Sequence, residues 1–80
     1  NMSLPTGQKP LNIVEVRFKN GRKHFFRNQD SLQISIGDVV AVEGNPGHDI
    51  GTVSLIGELV KVQMKKKGVK TDSEEIKKIY

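Results

Sequence analysis

The chain has 80 residues, of which 35% are hydrophobic and 28% charged, a composition typical of one small globular domain rather than of a disordered segment. It contains no cysteine, which excludes a disulfide scaffold, a cysteine-ligated zinc and an iron–sulfur cluster held by these residues, and which predicts a cytoplasmic location. No apolar run approaches the roughly 20 residues that a membrane-spanning helix requires, so no membrane insertion is predicted.

The net charge of +4 is unevenly distributed along the chain. Residues 1–27 carry six basic side chains and one acid, residues 28–60 carry five acids and neither Lys nor Arg, and residues 61–80 carry seven lysines and three acids. If folding brings the two basic ends onto one face, that face would suit a polyanion. The alternative is a mixed surface that is simply solvated.

The first part of the chain predicts a tail followed by a β-hairpin. Residues 1–11 contain proline and glycine among polar residues, as a flexible tail or linker does. Apolar and charged side chains alternate over residues 12–19, which is the period of a half-buried strand. Asn20-Gly21 is the strongest short signal for a hairpin turn, and it leads into a second strand over residues 22–27.

A two-residue hairpin loop would fix which side chains face the core. It places Val16 opposite Phe25, with both pointing inward, and it turns Phe26 outward. An outward aromatic ring among basic groups is suited to stack on a nucleobase or to fill a pocket of a partner. Alternatively, Phe26 packs under the N-terminal tail or a C-terminal helix.

Three further strands are predicted over residues 39–43, 50–56 and 59–64. Gly57-Glu58 fits a tight turn between the last two, because a hairpin at that point places their apolar residues on one face. Gly51 predicts a bulge or a sharp bend in its strand.

Residues 71–80 are predicted to begin a helix, with Asp72 or Ser73 as the cap and two glutamates in the first turn. The chain stops inside that element and opens on Asn1, so we expect a fragment of a longer protein. The predicted fold is mainly β, a small five-stranded antiparallel barrel or curled sheet of SH3-like or KOW-like type, with a short C-terminal helix start. A tail over 1–11, a barrel-like subdomain over 12–70 and a helix start over 71–80 make up its organisation.

The sequence offers no arrangement typical of catalysis. His24 lies on a strand and His48 lies in a loop beside Asp49, without a serine in a nucleophile motif. Neither histidine has neighbours at metal-ligand spacing, and no glycine-rich phosphate loop is present. We therefore predict no enzyme activity, no catalytic or metal residues and no cofactor.

Three groups of residues are candidates for binding. The first hairpin carries basic and aromatic side chains, the loop after the third strand combines turn residues with polar ones, and a lysine run follows the last predicted strand. The alternative for the lysines is a solvated strand end that discourages edge pairing. The candidates are Arg17, His24, Phe26 and Arg27; Pro46, His48 and Asp49; and Lys65, Lys66 and Lys67.

Several stretches occur in the order found in one bacterial family. They are 14–19 (VEVRFK), 25–27 (FFR), 37–40 (GDVV), 46–53 (PGHDIGTV), 65–67 (KKK) and 73–80 (SEEIKKIY). Together they span almost all of residues 12–80 and resemble the YaaT/RicT family, whose members carry the PSP-one (polymerase-suppressor) C-terminal domain, in its Bacteroidetes-like version.

The resemblance implies the N-terminal β subdomain of a longer cytoplasmic regulator. Relatives join small helical protein partners and influence RNA processing by a membrane-anchored endoribonuclease, and through it cell-fate programmes. Their iron–sulfur clusters require cysteines that this chain lacks. The predicted function is a non-catalytic adaptor subdomain in RNA processing and cell-fate regulation.

Two alternatives remain at the level of sequence. One is an SH3-like module that binds RNA or DNA directly. The other is a structural module that packs on the missing C-terminal domain. The sequence specifies neither the partner nor the oligomeric state.

Overall fold

A computed structural model describes residues 12–44 and 46–80, and it is mainly β, with one five-stranded mixed sheet and one short helix. The predicted tail lies outside the described residues. The elements are β1 (Ile13–Arg17), β2 (Lys23–Arg27), β3 (Val39–Glu43), β4 (His48–Leu55), α1 (Glu58–Lys67) and β5 (Lys77–Lys78). The strand order in the sheet is β3-β4-β1-β2-β5, and all neighbours are antiparallel except β5, which runs parallel to β2.

The first hairpin forms as predicted, but its register differs by one residue. Val14 lies opposite Phe26, and Val16 opposite His24. The N–H of Phe18 donates to Arg22 O at 2.8 Å and the N–H of Gly21 donates to Phe18 O at 2.9 Å, so the loop has three residues. Such loops place a left-handed residue last, and Gly21 has φ 86°. The predicted outward position of Phe26 is therefore wrong: its side chain is buried, with 6% exposed.

A close approach between β4 and β1 explains Gly51. A Cβ at this position would lie against the Val16 side chain and 2.9 Å from Arg17 O, so only glycine fits. The predicted irregularity of β4 occurs elsewhere. Glu15 pairs with Leu55 whereas Val16 pairs with Val53, which leaves Ser54 as the extra residue of a bulge.

The predicted strand over residues 59–64 is wrong, because this segment is part of α1. Val60, Val62 and Met64 alternate with polar residues, but the helix buries only Val60 and Met64, which are four residues apart. Helix signals flank the segment: Glu58 in the first turn and three lysines in the last. Gly68 ends the helix with φ 71°, and the bonds from its N–H and that of Val69 form a Schellman motif.

The helix predicted over residues 71–80 does not form. The guanidinium of Arg27 donates to the carbonyls of Thr71 and Ser73, at 3.0 and 3.3 Å, and so fixes the segment in turns. Beyond β5, Ile79 makes one isolated bridge to Val42 of β3. The C-terminal residues thus lie between the two edges of the sheet, but they do not close it. The predicted all-antiparallel barrel is accordingly wrong, whereas a curled sheet was one of the predicted forms.

The sheet buries apolar side chains on both faces, in two separate clusters. We call the side covered by α1 the helix face and the other side the inner face. The one helix in the described residues is ten residues long, and no helix there has the length and hydropathy needed to cross a membrane. The inner-face cluster consists of Val14, Val16, Phe26, Val42, Val53 and Ile79. The helix-face cluster consists of Ile13, Val60 and Met64, with Phe25, Leu55, Val69 and Ile76 packed against it.

Candidate functional site

A cavity of about 370 Å³ opens on the inner face, between the first hairpin and the end of the β3–β4 pair. This volume lies at the lower end of the range for pockets that hold small ligands, about 300–1,000 Å³. The C-terminal segment contributes Glu75 and Lys77 to one side of it. The other lining residues are Phe18, Asn20, Arg22, His24, Phe25, Phe26, Glu43, Gly44 and Asp49.

Three rings of the first hairpin form the aromatic wall of this cavity. The Phe18 and Phe26 rings meet edge to face, with centroids 5.9 Å apart and planes at 78°. The His24 ring is tilted against Phe18, also at 5.9 Å. Because strand side chains alternate, the observed register turns His24 and Phe26 to the inner face together with Phe18. The wall is therefore a direct consequence of the three-residue loop.

Charged side chains of both signs surround the rings. Arg22 and Lys77 supply two cations, while Glu43, Asp49 and Glu75 supply three carboxylates. Within the described residues, no three His, Cys, Asp or Glu side chains are grouped closely enough to hold a metal ion. The cavity has the features of a recognition pocket with an apolar wall and convergent polar groups.

The helix face carries a second surface, which is rich in lysine. We call it the lysine surface, and its members are Lys61, Lys65, Lys66, Lys67 and Lys70. The lysine run lies in the last turn of α1 rather than at a strand end, where its charge also stabilises the negative end of the helix dipole. The Lys67 ammonium lies 5.7 Å from the centroid of the Phe25 ring.

The predicted site residues fall into separate places. His24, Phe26 and Asp49 come together in the inner-face cavity. Arg17 lies opposite Lys23 on the helix face, away from that cavity. Arg27 holds the backbone of residues 71–73 and so has a structural contact.

The three predicted site residues of the loop after β3 also lie in different places. Pro46 is exposed, and His48 begins β4 and packs its ring on Tyr80, with centroids 4.5 Å apart. Asp49 alone among the three predicted loop residues lines the cavity. The loop is therefore not a single recognition element.

Eight lining residues were missed by the sequence analysis: Phe18, Asn20, Arg22, Phe25, Glu43, Gly44, Glu75 and Lys77. Phe18 would have been found from a three-residue loop, because that register places it beside His24 and Phe26. The last two depend on the C-terminal segment lying across the inner face, and no local pattern predicts that path.

Comparison of the chain with protein-family models, with curated proteins and with solved structures gives no match. The fold and these surfaces therefore carry the functional argument, and the family resemblance stays a prediction.

Proposed function

We propose that this chain is a non-catalytic adaptor module in RNA processing, which binds RNA through the lysine surface and a protein partner through the inner-face cavity. The observation that carries the proposal is the chemical difference between the two faces of one small sheet. One face presents a cluster of lysines along and just after α1, and the other presents a pocket with rings and charges of both signs. The RNA-processing setting comes from the YaaT/RicT resemblance.

The lysine surface suits a phosphate backbone. Five lysines and no acid occur between Leu59 and Lys70. Arg17 and Lys23 add cations on the same face of the sheet. Because each neutralised phosphate releases counterions, such a surface binds nucleic acid without base specificity and with strong salt dependence.

The inner-face cavity is better suited to protein than to nucleic acid. Its three carboxylates repel phosphates, while its aromatic wall and two cations can receive a side chain with an apolar stem and a polar end. Two unlike surfaces on opposite faces allow two partners to be held at once, which is what an adaptor does.

A salt titration with labelled single-stranded RNA tests the RNA half of the proposal. Changing Lys65, Lys66 and Lys67 together to Gln should weaken binding at low salt by about tenfold or more, and it should reduce the salt slope by about 2. The matched control is the exchange of Lys77 and Lys78 to Gln, which removes cations outside α1. It should change the RNA affinity by less than about threefold, since those lysines belong to β5 and not to the lysine surface.

The opposite pattern would contradict the proposal. If wild-type protein shows no RNA binding at low salt, or if the Lys77/Lys78 control loses as much affinity as the triple variant, the lysine surface is not an RNA contact. A His24→Ala/Asp49→Asn variant should keep full RNA affinity, which separates the two faces.

A second candidate is a structural module that packs on a following domain. It is favoured by Leu59 and Val62, whose side chains are 59% and 54% exposed on α1. This alternative also predicts that Phe26 and Ile76 are exposed until a following domain covers them. In the structure Phe26 is buried and Ile76 is half-buried, so these two side chains do not favour it. The RNA titration separates this candidate from the first, because a purely structural module would show no salt-dependent binding.

A further inference from the structure

The outer edge of β3 is only half covered. β3 is the first strand of the sheet and has β4 on one side only. On its other side, the N–H of Tyr80 donates to the carbonyl of Ala41 at 2.9 Å, and Ile79 makes its bridge to Val42. The C-terminal residues therefore cover the second half of this strand and leave the first half open.

Hydrogen-bond geometry shows which backbone groups are open. In an antiparallel ladder the N–H and C=O of one residue point to the same side, and this side alternates along the strand. The Ala41 carbonyl points away from β4, toward Tyr80, so the N–H and C=O of Val39 point the same way. Beside Val39, Asp38 accepts a bond from the Val53 N–H at 2.8 Å and so faces β4, as this alternation requires.

No residue in the described part of the chain forms a hydrogen bond with the outward N–H or C=O of Val39. An edge of this kind is a template for another strand. Natural sheets usually protect such edges with charged residues or proline, but here the edge carries an exposed valine instead.

Apolar side chains are uncovered beside this edge. Val39 is 71% exposed and Ile50 is 69% exposed, and both lie on the helix face. A shallow depression of about 420 Å³ surrounds them, lined also by Arg17, Lys19 and Thr52 and by no acidic side chain. The surface thus combines an open strand edge, two aliphatic groups and two cations.

We propose that the open half of β3 is a docking site for an acidic, extended segment of a protein partner. The segment adds a strand beside Val39, and the residues that follow it cover Ile50 with apolar side chains and face Arg17 and Lys19 with carboxylates. Strand addition obtains affinity from main-chain bonds and specificity from alternate side chains. A nucleic acid has no backbone that pairs with the Val39 edge, and a second copy would bring like charges together at Arg17 and Lys19.

The probe for this proposal is a synthetic peptide of alternating valine and glutamate, about eight residues long, capped at both ends. Titrated into the isotope-labelled full chain, it should shift the amide signals of Val39 and Ala41. The same amides should exchange with solvent at least about tenfold more slowly in its presence. A matched peptide with lysine in place of glutamate should bind at least about tenfold more weakly, since it faces cations.

Two variants locate the contact. Val39→Pro removes the outward N–H, and a proline whose N–H side faces solvent is tolerated on an edge strand. Ile50→Ser removes an exposed apolar group without touching the core. Each should weaken binding of the glutamate peptide by about tenfold or more. The control Leu59→Ser changes another exposed apolar side chain, on α1, and should have no effect on that binding.

Three results would overturn the proposal. The first is binding of the glutamate peptide that is as tight in the Ile50→Ser variant as in the wild type. The second is protection of the Val39 and Ala41 amides that rises with protein concentration alone, which would assign the edge to a second copy. The third is protection in the full chain that disappears when residues 1–11 are deleted, which would assign the edge to the chain's own first residues.

Discussion

The two faces of the sheet are closed in different ways. On the inner face, the C-terminal residues continue the backbone hydrogen bonding of both β2 and β3, and Ile79 enters the cluster between them. On the helix face, α1 covers the sheet through side chains only, chiefly Val60 and Met64. The inner face is therefore joined by main-chain bonds as well as by apolar packing, whereas the helix face depends on packing alone.

A buried carboxyl group increases this difference. Glu15 lies on the helix face and is 1% exposed. Its Oε1 accepts a bond from the Ser54 hydroxyl at 2.8 Å, but its Oε2 has no partner among the described residues. An unpaired buried polar atom costs about 1–3 kcal/mol. We therefore expect the inner face to contribute more to the free energy of unfolding than the helix face, and α1 to be the more weakly held layer.

The largest expected effect is the loss of the inner-face closure. Ile79→Ala should lower the free energy of unfolding by about 2–5 kcal/mol, because it leaves a cavity where Val42 and Phe26 now pack. Urea denaturation followed by circular dichroism measures this difference. The control is Ile50→Ala, which removes the same side chain from an exposed position and should cost less than about 0.5 kcal/mol. Equal losses in the two variants would show that the C-terminal residues do not close the inner face.

A smaller effect of opposite sign is expected on the helix face. Glu15→Met replaces the buried carboxyl with an apolar group of similar length, and it should raise the free energy of unfolding by about 1 kcal/mol. The control Glu74→Met changes an exposed glutamate and should be within about 0.5 kcal/mol of wild type. If Glu15→Met is destabilising, the buried carboxyl group stabilises the fold, and an unpaired Oε2 does not weaken the helix face.

The smallest effect concerns the attachment of α1 at its last turn. Lys67→Gln removes the cation above the Phe25 ring and should lower stability by about 0.5–1 kcal/mol. Lys66→Gln is the matched control, because it removes the same charge from the same helix end without a ring contact. Thermal unfolding of both variants should place Lys67→Gln lower. Identical midpoints would mean that the ring contact adds nothing to the charge at the helix end.

The strands of the first half of the chain were predictable because their signals are local. Alternation and Asn20-Gly21 identify the first hairpin, and the bounds of β3 agree with the prediction residue for residue. The register was not predictable from the turn alone, since Asn-Gly is compatible with two- and three-residue loops. That single-residue ambiguity reversed the side of the sheet on which Phe25 and Phe26 lie.

The second half was harder because tertiary contacts decide it. A short run such as 59–64 fits a strand by its alternation and a helix by its flanking charges. Asp72 and Ser73 resemble a helix start, but the segment instead uses Ile76 for one cluster and Ile79 for the other. Ile76 and Ile79 can reach opposite faces of the sheet only if the chain between them is extended, and no local pattern predicts that conformation.

The candidate site was predictable only in part for the same reason. His24, Phe26 and Asp49 were named from the sequence and do meet in one cavity. Their meeting requires a register that the sequence analysis did not select and a C-terminal path that it did not predict. The lysine run was identified as a patch, while its place in a helical last turn came from the structure.

The bridge between Ile79 and Val42 also has a consequence for the order in which the protein is made. β1 to β4 are synthesised before residues 77–80, which complete their inner face. Pairings that are distant in sequence form slowly, and an unfinished sheet exposes apolar surface while it waits. A nascent chain of this protein therefore exposes part of the inner-face cluster until residues 77–80 have emerged and docked.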